Sequence, residues 1–364
     1  MTATHWASND ALTVKLWSED LYRQARKEAM LTPYMGKGAN SLFEEKTDLV
    51  GKKGDKVEFG LVMNLTGEGI KSNQRMRGSE EALVTYGQEV VLDMRRNAVV
   101  STDELSERRT VVNFRSTARD LLGLWMSEKT DQDMILALSG LANAVGTLSA
   151  VAPSTNRKCI GGQTSAGALT TLSNDLDGND IVNDLFGTAV ISAVKRKAQL
   201  ASPKIRPLKY KGKPFYYMFI HPYQAKALKA ETPWQQAQRE ANVRGEGNPM
   251  FSGALGIWDG VVIIENEQIE SRLGNSDGDA ATDPAAYFEA GDGAANNILC
   301  GRALFCGCQA GLMAWGRRPR WDEQLDDYNA ENGICVSAIY MPAKARFNSE
   351  DFGVITVDTA MVAD

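Results

Sequence analysis

The residue types that most often carry chemistry are scarce in this sequence and badly placed for it. Two histidines occur in 364 residues, His5 near the amino terminus and His221 immediately before Pro222. Hydrolytic triads, two-histidine metal sites and imidazole acid-base catalysis all draw on that residue, so only His221 is available, and its place before a proline reads more simply as the opening of a helix. The five cysteines, Cys159, Cys300, Cys306, Cys308 and Cys335, are an odd and scattered set, which argues against a disulfide framework. Cys306 and Cys308 lack the two-residue spacing of a zinc knuckle and sit in the apolar run ILCGRALFCGCQAGLMAW, so they read as buried thiols. The glycine-rich GGQTSAG at Gly161 has no lysine where a phosphate would require one, and no GxxxxGK[ST] or GxGxxG stands at a strand-helix junction. Asp322, Glu323, Asp326 and Asp327 cluster, but such clusters more often mark a solvated face or inter-chain salt bridges than a catalytic pair. The inventory describes neither an enzyme nor a holder of metal or cofactor.

What the chain does contain is architecture. The run from Ser106 to Ser139 places Phe114, Ala118, Leu121 and Trp125 at alternating four- and three-residue steps, one stripe of a 3.6-residue helix, with Arg115, Arg119, Asp120, Glu128 and Lys129 on the other faces. No proline interrupts it, so about 28 residues from Val111 can form a single helix roughly 42 Å long. That is about twice the usual length, and it implies either a coiled coil or a spine on which an extended subunit is built. The stripe fades into Lys129, Asp131 and Asp133, which disfavours the coiled coil. Phe114, Leu121 and Trp125 are therefore expected in the core under the spine.

Upstream, LWSEDLYRQARKEAMLTPYM offers a helix capped by Ser18 and stopped by Pro33 and Gly36, with apolar positions at Leu21, Ala25 and Ala29. The residues that follow have no core of their own, so this reads as an arm lying on something else. Two alternating strands come next, Val57 to Leu65 and Val84 to Met94, joined by TGEGIKSNQRMRGSEEA, which is too long for a tight hairpin and too polar to bury itself. Either this is an ordinary surface hairpin or it is a projecting β-arm with its partner on another subunit. Downstream, Asn179 is read as the cap of a second amphipathic helix that includes Leu185, Phe186 and Val190. Phe215 to Ile220 is read as a strand buried on both faces, and Asp259-Gly260 as a turn before the strand Val261 to Ile264. The final strands are expected to pack on the long helix.

With 43% hydrophobic and 24% charged residues the chain suits two or three folded domains. No apolar stretch approaches a membrane-spanning length and no signal-like region follows Met1, so synthesis and folding in a cytoplasm are expected, with no membrane partner. A net charge of −6 without a basic tail excludes a general polyanion-binding surface and argues against sequence-specific nucleic-acid binding.

Several stretches, taken together and in order, resemble the major capsid proteins of tailed bacteriophages related to coliphage N-four. They are WSEDLYRQARKEA at Trp17, GKGANSLFEEKTDLVGKKGDKVEFGLVMNLTGEG, the long helix, HPYQAKAL at His221, NPMFSGALGIWDGVVIIEN at Asn248, RALFCGCQAGLMAWG at Arg302 and KARFNSEDFGVITVDT at Lys344. The resemblance implies the α+β Hong Kong 97-type capsid fold. In that fold residues 1–46 would be an N-terminal arm, 47–100 an extended E-loop, 101–140 the spine of a peripheral domain, 141–297 mainly an axial domain, and 298–364 a return to the peripheral domain. It also implies a virion protein that assembles as hexamers and pentamers into an icosahedral shell around double-stranded DNA, without sequence-specific binding. Its implied partners are a separate scaffolding protein, a portal and a decoration or cement protein. Contacts between subunits would then run through Trp17 and Tyr22 of the arm and Lys71, Arg75, Arg77, Glu80 and Glu81 of the E-loop. An encapsulin-like nanocompartment shell shares this fold and is the alternative; an enzyme with an unfamiliar active site is a more remote one.

Overall fold

The computed structural model describes residues 31–65, 67–73, 75–101, 114–143, 145–149, 151–160, 185–242, 255–269, 271–273, 299–326 and 331–361. In chain order these form β1 (Met35–Gly36), β2 (Phe43–Lys46), β3 (Lys56–Val62), β4 (Thr85–Val91), β5 (Asp93–Ser101), α1 (Phe114–Ser139), β6 (Lys158–Ile160), α2 (Thr188–Leu200), β7 (Leu208–Tyr210) and β8 (Lys213–Ile220). Then come α3 (Pro222–Ala230), α4 (Thr232–Asn242), β9 (Gly256–Trp258), β10 (Val261–Glu265), β11 (Ser271–Leu273), β12 (Leu299–Cys306), β13 (Gly311–Asp326), β14 (Glu331–Lys344), β15 (Arg346–Phe347), β16 (Glu350–Asp351) and β17 (Val354–Ala360).

Two sheets and α1 carry the subunit. One sheet runs β1-β2-β13-β14-β5, and a larger one runs β6-β17-β12-β8-β10-β9, with β11 and β7 added at its margins. One core joins α1, through Ala118, Leu122, Met126, Met134, Ile135 and Leu138, to Trp315, Trp321, Val336 and Tyr340 of the first sheet and to Phe219, Leu304 and Val354 of the second. The opposite face of the larger sheet makes a second core with Val190, Ile191 and Val194 of α2 and Ala225 and Leu228 of α3. β8 shows why it reads as a continuous apolar run: Tyr217 and Phe219 face the first core, while Tyr216, Met218 and Ile220 face the second.

α1 is 26 residues long, about 39 Å, and its end is fixed by Gly140 at φ +78°. The amide of Leu141 donates to the Leu136 carbonyl at 2.9 Å and that of Gly140 to Ala137 at 3.2 Å, the paired bonds of a left-handed helix terminus. A Cβ at Gly140 would also meet the Val151 carbonyl oxygen at 2.3 Å, so no other residue fits there.

The structure corrects four expectations. Leu121 is 59% exposed rather than in the core; the helix is rotated so that Ala118, Leu122 and Met126 face inward, while Phe114 and Trp125 pack only partly against the core. Asp131 and Asp133, expected on an outer face, are buried. α2 starts at Thr188 after Gly187, not at Asn179, and Leu185 instead bridges to Ala360. The segment read as one strand from Val84 to Met94 breaks at Leu92: β4 pairs with β3, whereas β5 pairs with β14 in the first sheet.

The C-terminal strands also divide. β13 and β14 pack on α1, but β12 and β17 lie in the larger sheet, so residues 298–364 serve both layers. The helix expected upstream of Pro33 lies outside the described residues except at its end, where Thr32–Tyr34 is a 3-10 turn.

Candidate functional site: the projecting ribbon

β3 and β4 form an antiparallel two-stranded ribbon with seven residue pairs, from Lys56–Val91 to Val62–Thr85. Alternation turns Val57, Phe59, Leu61, Tyr86 and Val90 to one face. At the root that face packs against Leu312, Ala314, Ala345 and Phe347 of the same chain. An isolated ribbon is marginal in water, and this packing is what makes the root stable.

A side-chain clasp ties down the root. Gln88 occupies the inward phase of β4, where an apolar residue is the rule, and its Nε2 donates to the Lys344 carbonyl at 2.9 Å. Its Oε1 accepts from the Arg346 amide at 2.7 Å, so one amide replaces two ladder bonds between ribbon and body. Lys46 Nζ donates to the Glu58 carbonyl at 2.7 Å and lies over the Phe59 ring at 4.4 Å from its centroid. The Leu92 amide donates to the Asp55 carbonyl at 2.8 Å and closes the base. Between this root and the end of α1 lies a cleft of about 470 Å³ lined by Gln88, Ala137, Leu148, Val151, Lys344 and Arg346.

Beyond the root the apolar face continues with nothing described above it. Leu65 and Val84 share the inward phase of Phe59 and Val90, yet they are 64% and 46% exposed. Val62, Met76 and Leu83 are exposed as well. Lys71, Arg75, Arg77, Glu80 and Glu81 all lie exposed in the connecting loop, as their polarity requires. Two of them also shape the loop: Glu81 Oε2 accepts from the Gly67 amide at 2.7 Å and Glu80 Oε2 from the Gly78 amide at 2.6 Å. Trp17 and Tyr22, the arm residues expected at the interface, lie outside the described residues, as do His5, Asp327 and most of the arm.

The ionisable groups away from the ribbon are structural. His221 caps α3: its Nδ1 accepts from the Tyr223 amide at 3.2 Å while Gln224 Oε1 accepts from the His221 amide at 3.0 Å. Burial lowers its pKa and favours the neutral form that the cap requires. Burial pushes the Cys159 thiol up to about 11 and raises Cys306 further, so both stay protonated and inert. Asp133 accepts from Tyr340 Oη at 2.8 Å and from Asn143 at 3.2 Å, and pairs with Arg95, tying α1 to β14 and β5. Arg302 makes a fully buried two-pronged pair with Asp358 at 2.6 and 2.8 Å and donates to the Ser139 carbonyl at 2.9 Å, linking the larger sheet to the end of α1. Of the acidic cluster, Glu323 pairs with Arg115 at 2.5 and 2.8 Å and Asp322 with Arg320 at 2.6 Å, all within the chain. Among the described residues no group of three or more His, Cys, Asp or Glu could hold a metal ion, and no helix is long and apolar enough to cross a membrane.

Sequence reasoning missed Gln88 and the exposed Met76 and Leu83. The signal for Gln88 was present: a polar residue in the apolar phase of an amphipathic strand needs a specific partner.

A fold assembled from a spine helix, two sheets and an under-covered ribbon is shared with known proteins. A family described as phage capsid protein matches residues 5–363. The major capsid protein of Pseudomonas phage KPP25 is 31% identical over 373 aligned positions, covering 97% of this chain and 96% of that one. The capsid of Ralstonia phage GP4 superposes with a TM-score of 0.77 at 25% identity, covering 100% of this chain and 96% of that one. The cyanophage Pam1 capsid gives 0.72 at 23% identity, covering 100% and 97%. The chain therefore belongs to the phage capsid protein family, and it is a major capsid protein of the virion shell with the Hong Kong 97-type fold.

Proposed function

We propose that the distal ribbon is an interlocking element that lies on a neighbouring copy of this chain, and that the shell closes through hexamers and pentamers held by such contacts. The observation that carries this reading is the apolar phase of the ribbon running past its own core, with Leu65 and Val84 exposed where Phe59 and Val90 are buried. An apolar strip of this kind, rimmed by Lys71, Arg75, Arg77, Glu80 and Glu81, suits a contact whose centre is dry and whose edge sets the register. On this reading residues 47–91 form the E-loop and residues 1–46 the arm, with Trp17 and Tyr22 at the interface. α1 with β5, β13 and β14 forms the peripheral domain, and the larger sheet with α2 to α4 forms the axial domain.

The enclosed cargo is double-stranded DNA, held without sequence-specific contacts. The net charge of −6 supports this, since a shell that gripped phosphate would resist movement of the packaged genome. A separate scaffolding protein, a portal and a decoration protein complete the set of partners, and synthesis takes place in the host cytoplasm. Replacing residues 67–78 with a short turn tests the central reading. The subunit is expected to keep its thermal stability but to form no closed particles by electron microscopy. Particles of normal size would overturn the assignment, and an unfolded subunit would show that the loop belongs to the subunit's own core.

A further inference from the structure

The outer face of α1 carries a stripe that changes character along its length. Leu121, Leu124, Glu128 and Asp131 follow one another at steps of three, four and three residues, so they lie on a single line along the helix. At the amino-terminal part of the line Leu121 is 59% and Leu124 45% exposed. At its far part Asp131 is only 3% exposed. What meets the stripe there is the first described residue of the chain: Leu31 is buried, and its amide donates to Asp131 Oδ2 at 3.4 Å.

From this geometry we infer that the residues preceding Leu31 continue along the same stripe, and that residues 17–30 dock as a helix on Leu124 and Leu121 of their own chain. The arm arrives at the helix with no intervening linker, and 14 helical residues extend about 21 Å, enough for the roughly 15 Å from Asp131 back to Leu121. The arm sequence presents a matching narrow stripe of Leu21, Ala25 and Ala29, whose small members allow two helices to approach closely. Both helices would run in the same direction with the same rise per residue. Fixed by the Leu31–Asp131 contact, Leu21 is then level with Leu121 and Ala25 with Leu124. Trp17 and Tyr22 fall at the two margins of the arm's stripe, where they stay available to a neighbouring subunit. The inference does not rest on the interlocking ribbon.

The test uses the full-length chain. A double variant Ala25→Cys with Leu124→Cys, oxidised at high dilution, is expected to give an intrachain disulfide at monomer mass, identified as a linked peptide pair after proteolysis. A mixture of the two single variants, one of them isotope-labelled, is expected to give no linked pair. Linked pairs between labelled and unlabelled chains would overturn the inference in favour of a neighbour's arm, and an absence of linkage in the double variant would overturn it outright. A second measurement covers the case in which the double variant does not fold. Maleimide labelling of the single variant Leu124→Cys is expected to accelerate about tenfold when Leu21→Asp is added, because the cover is lost locally. Equal rates would overturn the inference.

Discussion

The root and the tip of the ribbon are written in the same alternating pattern and have opposite fates. At the root Phe59 is 2% exposed, because β13 and β15 of the same chain lie beneath it. A few residues further on, in the same phase, Leu65 is 64% exposed. Alternation specifies that a strand has an apolar face; it does not specify which chain covers it. In a protein whose working state is a shell, this difference separates folding from assembly: root residues answer to the stability of the subunit, and tip residues to its neighbours.

The strongest way to break that division is to truncate one residue on each side of it. Phe59→Ala removes a fully buried ring, and is expected to cost about 3 to 5 kcal/mol of subunit stability in denaturant unfolding. Leu83→Ala, at the tip, is expected to leave the unfolding curve of the subunit unchanged while lowering the yield of closed particles. Equal destabilisation by the two variants would mean that the tip, too, is packed by its own chain.

A smaller effect is expected at the hinge between the two regions. Gln88→Ala strips both clasp bonds and leaves the Lys344 carbonyl and the Arg346 amide to find other partners, at a cost of about 1 to 3 kcal/mol. Hydrogen exchange should rise first in β3 and β4 and leave α1 as it was. If α1 exchanges equally fast, ribbon and body unfold as one unit, and the root is not a boundary.

Much of this was legible in the sequence, and the failures have physical causes. The spine, the two strands of the ribbon and the doubly buried β8 follow from periodicities of 3.6 and 2 in runs long enough to be unambiguous. The inward face of the spine was misread by one residue because Leu121 and Leu122 are adjacent. A stripe drawn through either looks continuous, and only the packing of Met126 against the sheets decides. Asp133 looked like a solvated position because charge usually means exposure; its partners Arg95, Asn143 and Tyr340 are 38, 10 and 207 residues away in sequence, beyond any local pattern. The break at Leu92 is invisible to alternation, since β4 and β5 keep the same phase while changing sheets.

Reversing charge at the tip sharpens the comparison further. Arg75→Glu with Arg77→Glu is expected to leave subunit folding untouched, because exposed charges contribute only about 0 to 1 kcal/mol each. Assembly should slow, and its dependence on salt should differ from that of the parent, since steering by exposed charges is screened over about 10 Å at 0.1 M ionic strength. Light scattering across a salt series measures both. Identical salt profiles would remove these arginines from the interface.

The smallest effect is expected midway, on the outward face, where Lys56 and Glu89 pair at 3.0 Å across the two strands. The hydrogen bond to Glu89, and then its charge, raise the Lys56 pKa above its ordinary 10.5. A raised lysine contributes fully below the ordinary value and loses that contribution as pH climbs through the folded value, so the pair is intact throughout the neutral range. Both side chains are well exposed, at 53% and 63%, so solvent screens what they gain. Lys56→Ala is therefore expected to change neither the melting temperature at neutral pH nor the yield of particles, in contrast to the buried face of the same two strands. A fall in particle yield with the melting temperature unchanged would place the outward face of the ribbon in the interface, and would move the boundary between folding and assembly from a point along the ribbon to a line between its two faces.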